Sequence, residues 1–364
     1  MNTQNNGNLG RTLKNDIKSG GHYKTLKKEL HGINEFFLNS DKQLRLNGMN
    51  RFKRFFVRLW WVFKEMILRL TPFRRIIFVL GILFLFSSGL SITIGSNVKI
   101  NQTDRGFIGG VLITFVLILE LKDKLIAREE LLAGKRIQES LMPEVSPAVD
   151  GWDLWLFTKP ANEVCGDLID FIDVDMERKA VVIADVAGKG LNAALITAKL
   201  QASIRALIND YGLVDLTSKI NRIFHKENLR EMFASMLIAE FNSGSGKIKY
   251  INAGHIPPCI IGRDEITCLG KGDTALGLLK DFSYNLNEIE LSAGEMLFVY
   301  SDGATDTRNS KGEFLEPERL KSILYNCRGR SALTSGEYIL SEIEKFKGEA
   351  YSSDDLSLVL LRKN

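Results

Sequence analysis

The segment Val181-Val182-Ile183-Ala184-Asp185-Val186-Ala187-Gly188-Lys189-Gly190 constrains the possible folds more than any other stretch of the chain. An apolar run of strand length ends on a carboxylate and then turns through two glycines. Residues 191–210 follow with apolar side chains at helical spacing, so the segment predicts a strand, a tight turn and a helix. The same construction recurs at 297–303, where Asp302 follows an apolar run and precedes Gly303. The two strand-terminal aspartates look like halves of one metal site.

The remainder of the chain from about Pro147 predicts one α+β domain. Strand-like runs are Trp152–Thr158, Leu168–Val174, Lys179–Asp185, Phe233–Phe241, Lys247–Ala253, Glu288–Leu291, Glu295–Asp302 and Leu356–Leu361. Helical patterns are Asn192–Asn209, Val214–Lys226, Glu316–Tyr325 and Thr334–Phe346. Short turns between neighbouring strands indicate hairpins, and therefore antiparallel sheets. Because the helices come in blocks, packed sheets with helices outside them are favoured over a doubly wound parallel sheet.

The basic charge of the chain is concentrated at its N-terminus. Residues 1–75 contain 16 Lys and Arg against 5 Asp and Glu, although the whole chain has a net charge of only +4. Residues 1–50 are polar and predict no chemistry. Arg51–Leu70 mixes aromatic and basic residues, which predicts an amphipathic helix at a bilayer interface; a core helix of a small N-terminal domain is the alternative. We expect a membrane partner and no nucleic acid, because the basic segment adjoins apolar ones.

Two apolar runs predict a transmembrane helical hairpin. Ile76–Gly95 holds twenty uncharged residues, which as a helix would span roughly 30 Å, the thickness of the bilayer core. Gly106–Leu119 is a shorter uncharged run, and Ser96–Arg105 joins the two. Lys and Arg are more frequent outside the pair than in this connection, so both ends are expected in the cytoplasm. The predicted localisation is the inner (cytoplasmic) membrane, multi-pass, with the catalytic domain in the cytoplasm.

A linker helix is predicted over Leu121–Leu141, ended by Pro143. It is either a spacer or an element that transmits a signal or pairs with a partner. The predicted domains are therefore a basic N-terminal segment at 1–73, a transmembrane hairpin at 74–121, a linker helix at 122–146 and a catalytic domain at 147–364.

Acidic side chains at strand ends are the candidate catalytic residues: Asp167, Asp185, Asp302 and the pair Asp354-Asp355. No His or Cys accompanies them, and an all-oxygen ligand set selects Mg²⁺ or Mn²⁺ over zinc or copper. Clustered carboxylates are costly unless a cation compensates them. Two such ions could activate a water and hold a phosphoryl group. The alternative is that Asp and Gly are simply good turn residues.

The cysteines Cys165, Cys259, Cys268 and Cys327 show neither a Cys-x-x-Cys pair nor zinc-ligand spacing. We therefore expect reduced cysteines in a cytosolic catalytic domain.

Five motifs in order resemble those of the SpoIIE/RsbU family of bacterial PPM-type serine/threonine phosphatases. They are Asn162-Glu163-Val164-Cys165-Gly166-Asp167-Leu168-Ile169-Asp170, 183–190, Asn252-Ala253-Gly254-His255-Ile256-Pro257-Pro258, Tyr300-Ser301-Asp302-Gly303 and Asp354-Asp355-Leu356-Ser357-Leu358. Arg136-Ile137-Gln138-Glu139-Ser140-Leu141-Met142-Pro143 resembles the helix that leads into such domains. The resemblance covers roughly residues 130–364.

The resemblance implies an α-β-β-α sandwich, two packed antiparallel sheets flanked by helices, with two Mg²⁺ or Mn²⁺ ions at one end. Asp167, Asp185, Asp302 and Asp354 would be metal ligands, together with the backbone carbonyl of Val186. The substrate would be phosphoserine or phosphothreonine on a regulatory partner of the anti-sigma-factor antagonist type. Family members are commonly controlled by N-terminal segments through a linker helix and dimerisation, so a homodimer through this helix is expected.

The chain departs from the family pattern at a few positions. Cys165 replaces a glycine, either as a small packing residue or as a redox-sensitive group, and Leu168 replaces an aromatic residue. Lys159 and Lys189 are candidates for holding phosphate. His255 is interpreted as a turn or core residue, because a metal-activated water needs no histidine.

The mechanism expected from these residues is direct hydrolysis by water, without a phosphoenzyme. A non-catalytic binding module of the same fold would have lost a metal-ligand aspartate, and all four are present. A two-metal phosphodiesterase acting on nucleotides would need a basic or aromatic base pocket, which the sequence does not predict.

Overall fold

The computed structural model describes residues 45–46, 49–86, 92–94, 98–100, 102–226, 233–350, 352 and 354–364. The chain divides into two compact units, Met1–Leu125 and Ile126–Asn364. Most of the polar segment predicted at 1–50 lies outside the described residues. The predicted domain borders at 73, 121 and 146 stay predictions.

The first unit contains helices α1 (Arg51–Arg69) and α2 (Pro72–Phe86), the short strands β1 (Ile92–Ile94) and β2 (Val98–Ile100), and the beginning of α3 (Gln102–Leu141). Helices α2 and α3 approach closely at two glycines. A Cβ atom added to Gly109 would lie 2.6 Å from the carbonyl oxygen of Gly81, so only a residue without a side chain fits there. The same helices are joined by Arg74, whose guanidinium lies 2.7 Å from both Glu120 and Asp123.

The predicted transmembrane hairpin is not found in the described part of the chain. There, no helix is both long enough and apolar enough to cross a membrane. The first predicted span begins as helix α2, which ends at Phe86; its fifteen residues reach only about 22 Å. The same predicted span ends in strand β1, where β-branched residues favour an extended backbone. The second apolar run lies inside α3, which continues into charged residues after Leu119.

The predicted linker helix is also not a separate element. Helix α3 has 40 residues and ends at Leu141, so the second apolar run and the linker form one continuous helix. Its C-terminal end, just before Pro143, agrees with the prediction.

The second unit is built on two five-stranded antiparallel sheets. Its strands are β3 (Trp152–Lys159), β4 (Asp167–Asp173), β5 (Arg178–Val186), β6 (Ala234–Asn242), β7 (Lys247–Ala253), β8 (Cys259–Ile261), β9 (Ile266–Cys268), β10 (Asn287–Glu290), β11 (Met296–Tyr300) and β12 (Leu356–Lys363). One sheet has the strand order β10-β7-β6-β5-β4, and the other β3-β12-β11-β8-β9.

Three hydrophobic cores show that the second unit has four layers. The helices are α4 (Leu191–Leu207), α5 (Leu213–Lys226), α6 (Pro317–Tyr325) and α7 (Ala332–Lys347). One core lies between the two sheets, with side chains such as Ile183 and Val359 from opposite sheets. A second joins α4 and α5 to the β4–β7 sheet, and a third joins α6 and α7 to the other sheet. This four-layer arrangement follows from the strands, because successive side chains of a strand point to opposite faces of its sheet and so reach two different cores. The predicted α+β sandwich is confirmed.

All eight predicted strands are confirmed within a few residues, but the β8–β9 hairpin was not predicted. In this hairpin Cys259 and Cys268 lie opposite each other and form a disulfide bond. The expectation that every cysteine is reduced is therefore wrong for this pair. The two cysteines are nine residues apart, and this spacing alone does not predict a disulfide bond. The bond becomes predictable only when the β8–β9 hairpin is known. Cys165 and Cys327 are free thiols and are buried.

Candidate active site

The first pair of candidate aspartates comes from two neighbouring strands. Asp167 begins β4 and Asp185 lies one residue before the end of β5, and the antiparallel register places them directly opposite each other. Side chains at opposite positions of such a pair lie on one face with Cβ atoms about 5 Å apart. Asp167 is almost completely buried, with 5% of its surface exposed. Two carboxylates in this arrangement repel each other strongly unless a cation lies between them.

The second pair comes from the other sheet. Asp302 follows β11, and Asp354 and Asp355 precede β12, the antiparallel partner of β11. The end of one strand and the start of the next therefore meet at one edge. Gly303 is required here, because a Cβ atom at this position would lie 1.9 Å from the carbonyl oxygen of Asp355.

Electrostatics show that the two pairs form one cluster. Burial, and then the charges of Asp302, Asp354 and Asp355, raise the pKa of Asp185 to about 6. Burial is also the main cause that raises the pKa of Asp167 well above its usual value, and the charge of Asp185 adds to it. The pKa of Asp302 is raised by burial and then by Asp354. The structure thus brings Asp167, Asp185, Asp302 and Asp354 to one edge of the sandwich.

Glycines shape the backbone beside Asp185. Val186 ends β5, and Gly188 and Gly190 follow with φ angles of 117° and 72°, which L side chains rarely adopt. The chain can therefore turn sharply into α4, which begins at Leu191. The carbonyl oxygen of Val186, the expected backbone ligand, lies close to the loop before β4. A Cβ atom added to Gly166 in that loop would be 3.6 Å from this oxygen.

The metal-ligand set is only partly assembled in this structure. Among the described residues, no three or more His, Cys, Asp or Glu side chains are grouped closely enough to hold a metal ion. One observation nevertheless fits a hard cation. Oδ2 of Asp167 is buried without a hydrogen-bond partner from the described residues, and an unpaired buried carboxylate oxygen is costly. The donors available are oxygens, which suit Mg²⁺ and Mn²⁺.

The two lysines proposed as phosphate ligands have different surroundings. Lys189 lies in the cluster, with its Nζ 3.0 Å from Oδ2 of Asp354. Lys159 forms an ion pair of 2.7 Å with Glu344 on α7. Of the two, only Lys189 therefore has its ammonium group in contact with a candidate metal ligand.

His255 and Cys165 both lie near the cluster but are poorly placed for chemistry. His255 is buried, Nδ1 lies 3.0 Å from Oγ of Ser235, and burial lowers the pKa of the ring to about 4. Its backbone N–H donates to the side chain of Asn252, as expected of a turn. Cys165 is fully buried, and this burial is the largest cause that raises the pKa of its thiol. Both thus match the packing interpretation rather than the reactive one.

Two further side chains near the cluster, those of Gln138 and Thr197, were not singled out from the sequence. Both form hydrogen bonds to the loop that precedes Asp167. Asp355, whose neighbour Asp354 is the residue expected to bind metal, accepts a hydrogen bond from the same loop. Gln138 lies in the motif before Pro143, which was the only available signal. The bonds themselves connect residues far apart in sequence, so no local pattern announces them.

The class of the second unit is defined by its similarity to a solved domain. The solved SiaA-PP2C domain of Pseudomonas aeruginosa has the same fold, with a TM-score of 0.59 at 17% identity, covering 66% of this chain and 99% of that domain. The second unit is thus a PP2C-like α+β fold.

The sequence of the chain shows which protein family it belongs to. The family model described as Stage II sporulation protein E (SpoIIE) matches residues 175–364, and the chain belongs to the SpoIIE family. Phosphoserine phosphatase RsbU of Bacillus subtilis (strain 168) is 27% identical over 240 residues, 65% of this chain and 70% of that protein. Protein IcfG of Synechocystis sp. (strain ATCC 27184 / PCC 6803 / Kazusa) is 24% identical over 309 residues, 73% of this chain and 48% of that protein. The chain thus spans about half the length of IcfG. These findings support a protein phosphatase.

Proposed function

We propose that the chain is a protein serine/threonine phosphatase. It hydrolyses phosphoserine or phosphothreonine on a regulatory partner of the anti-sigma-factor antagonist type. The observation that carries the proposal is the convergence of Asp167, Asp185, Asp302 and Asp354, from two sheets, at one edge of the sandwich. Family membership and the name of the RsbU relative support the reaction class.

The proposed cofactors are two Mg²⁺ or Mn²⁺ ions. The four aspartates and the carbonyl of Val186 would hold them, and the positive charge of the ions would compensate the burial and mutual repulsion that raise the pKa values of Asp167, Asp185 and Asp302. When bound, such ions supply Lewis acidity toward a water molecule and the phosphoryl oxygens.

The residues of the chain itself support direct attack by water. Cys165 and His255 are poorly suited to act as nucleophiles: the Cys165 thiol is buried with a raised pKa, and the His255 ring is buried beside Ser235. Lys189 adds a positive charge at the exposed side of the cluster, where an anionic phosphoryl group would arrive. A phosphorylated enzyme intermediate is therefore not part of the proposal.

The experiment is a phosphate-release assay on the purified full chain, with phosphoserine and phosphothreonine peptides and a phosphorylated partner protein. Activity is expected with Mg²⁺ or Mn²⁺ and not with EDTA, and it should fall by a factor of at least about 10³ in Asp185→Asn and in Asp302→Asn. Asp281→Asn is the control, because its side chain is 68% exposed and pairs only loosely with Arg222. Metal-independent turnover that survives both substitutions would refute the mechanism.

A non-catalytic module that binds or senses a partner is the second candidate. It is favoured by the observation that the described side chains are not grouped into a metal site. It predicts tight binding of the phosphorylated partner with no phosphate release at any metal concentration.

Location and assembly are further parts of the proposal. Helix α1 exposes Phe52, Phe55 and Trp60, and bears Arg54 and Arg58, a combination that suits an anionic membrane surface. The chain would attach to the cytoplasmic membrane with its catalytic unit in the cytoplasm, and would dimerise through α3. Co-flotation with anionic but not neutral vesicles tests the first point, and sedimentation of the full chain tests the second.

A further inference from the structure

The loop 160–166 carries Asp167 into the site, and a neighbouring aspartate holds it from one side. Oδ1 of Asp355 accepts a hydrogen bond of 2.7 Å from the backbone N–H of Ala161, and Oδ2 accepts one of 2.6 Å from the N–H of Gly166. These two amides lie at opposite ends of the loop. A single buried carboxylate therefore closes the loop from Ala161 to Gly166.

The opposite side of the same loop is held by two other side chains. The amide group of Gln138 on α3 donates from Nε2 to the carbonyl of Cys165 at 2.7 Å and accepts from its N–H at 2.9 Å. The hydroxyl of Thr197 on α4 donates to the carbonyl of Gly166. Every backbone N–H and C=O of Cys165 and Gly166 thus bonds to one of three side chains, which come from α3, from α4 and from the segment before β12.

We infer that Asp355 is a positioning residue, which together with Gln138 and Thr197 fixes the backbone immediately before Asp167, rather than a metal ligand. The inference deepens the proposed function and rests on it for the role of Asp167. The two adjacent aspartates therefore have different roles. Asp354 contacts Lys189 in the cluster, and Asp355 binds the loop.

The hydrogen bonds hold the Asp355 carboxylate toward the loop. Each of its oxygens accepts a charge-assisted bond from a backbone amide, which occupies one lone pair of that oxygen and fixes the orientation of the group. Asp167 is in the opposite situation, since its buried Oδ2 has no partner among the described residues. The loop would keep that oxygen facing the cluster, in the way that outer hydrogen bonds orient metal ligands.

The test compares Asp355→Asn with Asp354→Asn, the same chemical change one residue apart. An asparagine has one acceptor oxygen, so Asp355→Asn leaves one of the two loop amides without its partner. In the metal-free full chain, hydrogen exchange in a peptide covering 160–167 should become about tenfold faster or more in Asp355→Asn and stay unchanged in Asp354→Asn. A peptide from β5 is the internal reference for global unfolding.

Metal binding is measured separately by the electron paramagnetic resonance signal of free Mn²⁺. Affinity should fall about tenfold or more in Asp355→Asn, as expected when the support of a ligand is removed, and also in Asp354→Asn. Equal loop exchange in Asp355→Asn and the wild-type protein, or equal acceleration in both variants, would overturn the inference.

A second variant decides the matter if Asp355→Asn accelerates exchange in β5 as well. Gln138→Ala removes the amide group on the other side of the loop and alters no acid. It should accelerate exchange in the 160–167 peptide and weaken Mn²⁺ binding, whereas an unchanged peptide would overturn the inference. If the wild-type chain bound no Mn²⁺ the proposed function would fail, and the exchange results would still decide the loop-holding role.

Discussion

Neutralising Asp185 should stabilise the metal-free protein while abolishing its function. Asp185 lies opposite Asp167, and its pKa is raised to about 6 by burial and by the charges of the other acids in the cluster. At neutral pH the folded protein therefore keeps a carboxylate ionised in a place that disfavours the charge. Asp185→Asn has nearly the same shape and removes that charge, so it removes the cost.

The size of the effect follows from the pKa. A rise from 3.8 to about 6 corresponds to about 3 kcal/mol. Asp185 is only partly buried, so we expect about 2 kcal/mol after solvent screening. Because the folded pKa exceeds the unfolded one, the wild-type protein has its full stability below about pH 4 and loses this amount as pH rises through 6. The advantage of Asp185→Asn should therefore be absent at pH 4 and complete by pH 8.

Urea unfolding of the metal-free proteins at pH 4 and pH 8 measures this difference. The control is Asp281→Asn, whose exposed side chain should leave the free energy of unfolding within about 0.5 kcal/mol of wild type. With Mg²⁺ present the order should reverse at pH 8, because the wild-type protein binds the ion and the variant does not. The reasoning would be refuted if Asp185→Asn were less stable than wild type at pH 8 without metal. It would also be refuted if the free energy of unfolding differed from that of wild type by the same amount at both pH values.

Other parts of the structure predict further outcomes. Arg205 bonds both oxygens of the fully buried Asp170, at 2.8 and 2.6 Å, so Arg205→Met should cost roughly 3 kcal/mol in urea unfolding, and a change below about 1 kcal/mol would contradict this. Gly303→Ala should prevent native folding or abolish phosphate release, because its Cβ would lie 1.9 Å from a backbone oxygen; near-normal activity would contradict the tight packing. Cys259→Ser with Cys268→Ser should lower the free energy of unfolding by about 3 kcal/mol in the absence of reductant and not in its presence, as measured by urea unfolding.

Much of the fold could be predicted from the sequence because its strands are long, apolar and separated by clear turns. Strands β5 and β11 show this well: each is an apolar run with an aspartate near its C-terminal end, Asp185 or Asp302, and a glycine shortly after that aspartate. Strands β8 and β9 were missed because each has three residues and the first follows Pro257-Pro258, a signal for a turn. Such short strands depend on the sheet beside them.

The N-terminal part could be predicted less well, for two physical reasons. A run of uncharged residues fixes neither where a helix ends nor whether part of it becomes a strand, as happens at Ile92–Ile94. The apolar run before Glu120 and the charged run after it contain neither proline nor another helix breaker at their junction. One helix, α3, therefore continues through both.

The acids of the candidate site were found from motifs, but the side chains that support them were not. Gln138 bonds a residue 27 positions away, and Asp355 bonds residues 194 and 189 positions away. Such contacts depend on how the sheets and helices pack. They leave no periodic pattern in the sequence.

The most direct test of the central claim is phosphate release from a phosphoserine peptide by the purified chain, titrated with Mn²⁺, in the wild type and in Asp302→Asn. The account predicts saturable, metal-dependent turnover in the wild type that EDTA removes. It predicts a loss of at least about 10³-fold in the variant, with its fold retained. Equal turnover in the two proteins, or turnover in EDTA, would contradict the account.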